Sequence, residues 1–270
     1  CRVSDKTKET LYKTFKDKIS FCYTENFLSV NITFNTTVLR SVKSYGKFTG
    51  YIYFDSGVDI ETNTNLLNDI ESRINTDQYS MISIQTDTDH GHHWFKHDHV
   101  HNPYIKGEDF VMPVGKCCNL HVSYFSNDLL EAYGRLIPDI FNAYCTESVF
   151  SFLNAAINKQ WVILKDTILT HIKEKDGATL SYDHVGPRGQ PWNNLYGVAD
   201  MSKIVDDPKA REVGLGYEEL GNVLMHDPKL YTADGHANNE NLKEYIKNNL
   251  FLKPSQLDYN HIYSSYTPIK

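Results

Sequence analysis

The sequence predicts an α/β fold, a mixed and mostly parallel sheet flanked by helices with a C-terminal extension, and three observations point there. Short apolar runs suited to strands alternate with helical periodicity between residues 19 and 172. The strand-like YIYFDSGVDI and YSMISIQT are joined by the helical NLLNDIESRI, a β, α, β order that favours parallel strands. Beyond about residue 184 the pattern changes, and Gly, Pro, Asn and Asp punctuate the chain.

In DKTKETLYKTFKDK, Leu11 and Phe15 stand four apart among charges, which predicts a surface helix over 5–18 with Asp5 as a cap. ISFCYT reads as a short buried strand. NITFNTTVLRSVKSYG places Val38, Leu39 and Val42 on one helical face. YIYFDSGVDI is the clearest strand, β-branched and aromatic, and it closes on acidic residues and a glycine. YSMISIQT forms the next strand, with Asp87 just beyond it. A histidine-rich polar loop covers 90–109. After it come the strand NLHVSYF, the helices NDLLEAYGRL and TESVFSFLNAAI, and the strand WVILKDTILTHI. Helical patches near 217–225 and 239–250 belong to an extension, 185–270, packed on a core spanning 1–184. In open α/β sheets ligands gather beyond the carboxyl ends of strands, so Asp55 and Asp87 point to a common rim.

Composition narrows the function. The chain has 270 residues, within the size of one large core, and its 40% apolar and 23% charged content is that of a globular protein. No stretch approaches the roughly 18 apolar residues of a membrane span. A formal charge of -7 with interspersed lysines argues against a nucleic-acid groove, which needs a basic stripe. A divalent cation would still let an acidic protein hold a nucleotide. Cys1, Cys22, Cys117, Cys118 and Cys145 are odd in number and lack zinc spacing, which predicts reduced thiols and a cytoplasmic location. Sequons at Asn31 and Asn35 would accept glycans only in a secreted chain, and no signal peptide opens this one.

The order of elements over 19–172 resembles the nucleotide-diphospho-sugar transferase fold, the A-type glycosyltransferase fold (GT-A). The resemblance rests on ISFCYTEN, the NTTVLRSVKSYG helix leading into YIYFDSG, the segment PDIFNAYCTESVFSFLNAAI, and the strand WVILKDTILTHI. It implies a metal-assisted glycosyltransferase that moves a sugar from a nucleotide-diphosphate donor, a UDP-sugar foremost, to a glycan acceptor hydroxyl. Asp55, Ser56 and Gly57 take the place of the acidic motif that binds donor and metal, with His171 in the place of the late histidine of the metal shell. Glu147 takes the place of the catalytic base, which implies inversion. The chain also resembles, more distantly, soluble glycosyltransferases of large algal DNA viruses, which implies a viral glycan product.

The chemistry of these residue types agrees. A bound Mn²⁺ or Mg²⁺ stabilises a departing diphosphate, and an imidazole ligand tilts the choice toward Mn²⁺. A carboxylate on a rigid helix turn can deprotonate an alcohol. The sequence departs from the family twice. Gly57 stands where a second acidic residue usually touches the metal; either Asp59 compensates from two residues further on, or the motif is Asp87-Thr88-Asp89, which has the literal spacing. Only 18 residues precede ISFCYT, so the first nucleotide-binding strand is expected to be missing.

Each residue also has a plainer reading. Asp-Ser-Gly is good turn chemistry, Thr146-Glu147 suits an ordinary helix start, and His171 suits a strand edge. The six histidines at 90, 92, 93, 97, 99 and 101, with Trp94 and Phe95, read as a solvated loop beside the acceptor site. A sugar nucleotidyltransferase would need a glycine-rich basic N-terminal signature, which is absent. A carbohydrate-binding or capsid-associated relative that lost catalysis is the nonenzymatic alternative.

Overall fold

The computed structural model describes residues 9–10, 13–14, 21–24, 30–54, 58–59, 65–86, 109–115, 120–138, 149–171, 224, 227–231, 238–251 and 263–267. At 21–24, 30, 58–59, 85–86, 165–166, 171 and 263–267 it describes the backbone alone. The strands are β1 (Phe21–Thr24), β2 (Gly50–Phe54), β3 (Val58–Asp59), β4 (Tyr79–Thr86), β5 (Phe110–Val111), β6 (Val122–Ser126), β7 (Gln160–His171) and β8 (Tyr263–Thr267). The helices are α1 (Val30–Tyr45), α2 (Leu66–Ile74), α3 (Asn127–Tyr133), α4 (Phe150–Ala156) and α5 (Asn239–Asn249). The fold is mixed α/β. In the main sheet the order is β2-β6-β4-β7-β3, with β5 also paired to β7, and β1 forms a separate two-stranded sheet with β8.

The expectation of a mostly parallel sheet is corrected by the pairing. Only β4 and β7 pair in parallel among the described strands, while β2–β6, β4–β6, β3–β7 and β5–β7 are antiparallel. Strands β2, β4 and β7 do share one direction. The β, α, β order through α2 leaves a gap between β2 and β4, and β6 fills it running the opposite way. All five β6 residues are buried, and a strand buried on both faces needs a central place.

Helices cover both faces. On one, Val38 of α1, Leu129 and Tyr133 of α3, Phe150 and Leu153 of α4, and Leu242 and Ile246 of α5 pack with Met81, Phe125 and Trp161 of the sheet. On the other, Leu66 and Ile70 of α2 cover Ile82, Ile84, Val122, Tyr124 and Val162. Alternation along β4, β6 and β7 sends neighbouring residues to opposite cores. Thus α5 shares the core that α4 builds, and Phe251 just beyond it stacks on Tyr133 at 5.5 Å.

Local chemistry sets the helix ends. Gly46 has φ +85° and its N–H donates to Val42 O at 2.8 Å, closing α1. Gly134, at φ +75°, closes α3 the same way through Leu130 O at 2.7 Å. The Asn238 side chain accepts from Asn241 N at 3.4 Å and caps α5. Of the surface helix expected over 5–18, residues 9–10 and 13–14 are described and are helical.

Candidate functional site

Because β2, β4 and β7 run the same way, their carboxyl ends meet at one rim. Register fixes the level: Val122 of β6 pairs with Phe54 of β2 and with Ile84 of β4. Antiparallel β6 begins at that rim where its neighbours end. In the chain Asp55 follows Phe54 and Asp87 follows Thr86.

The end of β7 is shaped by an irregularity. From Ser83 to Gln85 strand β4 takes two steps, while its partner runs five, from Ile163 to Ile168. The surplus residues bulge, and a bulge re-aims the stretch of strand beyond it. Thr167, 1% exposed, secures this bulge by donating its hydroxyl to Asp69 Oδ2 of α2 at 2.6 Å. Past the bulge β7 resumes pairing with Thr86 through Leu169, then pairs with β3: Asp59 with Thr170 and Val58 with His171. The backbones of Asp59 and His171, 112 positions apart in the chain, are therefore one register step apart.

Of the residues singled out from sequence, Asp59 and His171 fall in this ladder, at adjacent rather than paired positions. Asp55, Ser56, Gly57 and Glu147 lie outside the described residues, as do Asp87, Asp89, the histidine run 90–101, Trp94 and Phe95. Helix α4, which comes after Glu147 in sequence, opens at Phe150 with Val149 in the cap position and no side-chain cap bond. Among the described residues no group of three or more His, Cys, Asp or Glu side chains is arranged to hold a metal ion.

Two participants in this rim escape a reading of the sequence. His121, half-buried, directly precedes β6 and so stands at the rim beside the ends of β2 and β4. Its position is a product of the reversed direction of β6, which periodicity cannot reveal. Asp69 reads as a first-turn helix acid, yet it holds the β7 bulge.

The interior beneath the rim is closed by satisfied polar contacts. Ser83 and Ser123 hydroxyls meet at 2.8 Å, and Trp161 Nε1 donates to Ser83 Oγ at 2.8 Å. Ser80 donates to Asn154 Oδ1, and Asn154 Nδ2 donates to Phe150 O at 2.5 Å. These bonds pin β4, β6, β7 and α4 together. Among the described residues no helix is long and apolar enough to cross a membrane. Comparison with protein-family models, curated proteins and solved structures finds no match.

Proposed function

We propose that this chain is an inverting glycosyltransferase that moves a sugar from a nucleotide-diphosphate donor, a UDP-sugar foremost, to the hydroxyl of a glycan acceptor. The observation that carries the reading is the shared rim: β2, β4 and β7 direct their carboxyl ends to one side of the sheet, where open α/β sheets hold ligands. Carboxylates and an imidazole make a donor set suited to Mn²⁺, with Mg²⁺ the second choice. Asp55, Asp59 and His171 would hold the ion, and Ser56 and Gly57 would line the donor diphosphate. When bound, the cation stabilises charge on the departing diphosphate. Glu147 would accept the proton of the attacking hydroxyl from the side opposite the leaving group.

The test is calorimetry with UDP, with and without Mn²⁺, followed by a donor-hydrolysis assay. Metal-dependent UDP binding with turnover is expected. Binding without turnover would instead favour a carbohydrate-binding relative that has lost catalysis, and absence of binding removes the enzyme reading. Asp55→Ala is expected to weaken metal-dependent donor binding. Glu147→Gln is expected to abolish transfer while donor affinity stays near wild type, and full activity of that variant would show the base to be misassigned.

A further inference from the structure

The two sequons occupy adjacent turns of α1, and their asparagines are among the most enclosed polar residues described. Asn31 is 4% exposed and Asn35 is 1% exposed. Both carboxamides grip the segment that leaves α3. Asn35 Oδ1 accepts from the backbone N–H groups of Leu136 and Ile137, each at 3.0 Å, and its Nδ2 donates to Ile137 O at 2.6 Å. Asn31 Nδ2 donates to Pro138 O at 3.0 Å. Leu136, Ile137 and Pro138 are themselves buried, so these four bonds satisfy backbone groups that water does not reach.

We infer that N-glycosylation and this fold are mutually exclusive: a chain modified at Asn31 or Asn35 cannot fold, and a folded chain cannot be modified there. N-glycosylation joins Nδ2 to the anomeric carbon of a lipid-diphosphate oligosaccharide. One Nδ2 proton is lost, and the lipid diphosphate departs with the electron pair of the broken glycosidic bond. The new sugar needs a path to solvent from the attached nitrogen, and side chains 4% exposed at Asn31 and 1% exposed at Asn35 in a close-packed interior have none. The acceptor motifs are also held in helix. Thr36 and Thr37 donate their hydroxyls to Ile32 O and Thr33 O, at 2.8 and 2.9 Å, so the folded segment cannot adopt an extended acceptor conformation.

The pair therefore acts as a folding veto keyed to one modification. It separates two roles that the same six residues carry in sequence, acceptor motif and packing clamp, and assigns them to different states of the chain. This inference stands independently of the transferase reading, since α1 and the 136–138 segment carry it alone.

The test directs the full chain through the secretory pathway of cultured cells behind a cleavable leader, with cytosolically produced protein as the reference. Folded and aggregated fractions are separated and mapped by glycopeptide mass spectrometry. Glycan at Asn31 or Asn35 is expected only in the aggregated fraction, and folded material is expected to be free of it. The Thr33→Ala/Thr37→Ala double variant removes both acceptor motifs and keeps both carboxamides. Once shown to fold in the cytosol, it is expected to leave the secretory pathway folded, with the thermal midpoint of the reference. In a second measurement, glycosylated chains trimmed to a single sugar are diluted from urea, and no cooperative refolding is expected. Folded protein bearing a glycan at either asparagine, or cooperative refolding of the trimmed chain, overturns the inference.

Discussion

Asn35 shows how much one side chain can hold when its partners are backbone. Replacing it with alanine leaves two N–H groups and a carbonyl of the 136–137 segment unpaired in the interior. Asn35→Ala is expected to cost about 2–4 kcal/mol, read as a lowered urea midpoint at unchanged slope. Nothing local in the sequence announces this, because the partners lie 101 and 102 positions away and the motif is legible only as a sequon. The strand ends at Phe54 and Thr86 were legible by contrast, since a β-branched and aromatic run is a local property. Titration adds a second residue-scale expectation. Burial, with the Asp128 charge adding to it, pushes the Tyr124 hydroxyl from its usual 10.0 up to about 12. Lys159 is held above its usual 10.5 mainly by its hydrogen bond to Asp77, with burial opposing and the Asp128 charge adding. Both groups keep their proton in the folded chain at a pH where the unfolded chain has released it. Stability must therefore fall as pH rises from about 10 toward 12. Urea midpoints measured across that window should decline, and Tyr124→Phe should flatten the decline.

At the scale of elements, close approach and handedness decide what glycine does. A Cβ on Gly50 would collide with Tyr124 Cε2, and that ring is buried and tethered through its hydroxyl to Thr49 O at 3.1 Å. Gly50→Ala is expected to destabilise by about 1–3 kcal/mol through overpacking, measured by chemical denaturation. Gly134→Ala meets no neighbour within 4 Å, so its cost is the left-handed backbone alone, roughly 1–2 kcal/mol. Most elements were legible from periodicity: Val38, Leu39 and Val42 marked α1, and YSMISIQT marked β4. Pairing was not. A run such as NLHVSYF announces a strand but not its direction, so β6 was free to enter between two co-directional strands and reverse the balance of the sheet. Strand β8, Tyr-Ser-Ser-Tyr-Thr, carries too little apolar character to be read at all, and β3 is only two residues long.

For the molecule as a whole, the two cores and the shared sheet imply common stability. Leu242 and Ile246 of α5 lie in the cluster that contains Phe150, Leu153 and Trp161, so α5 should not melt by itself. Leu242→Ala is expected to lower stability by about 2–5 kcal/mol. Far-UV and near-UV signals should still fall together in one transition, whereas a separate early melting of α5 would show it to be an appendage. Reversed β6 also has a temporal meaning. As the chain leaves the ribosome from its amino end, GYIYF emerges well before its ladder partner at 122–126 has been translated. That aromatic, uncharged segment has to wait, and how quickly the ribosome covers the intervening codons governs its chance of sticking to another nascent chain.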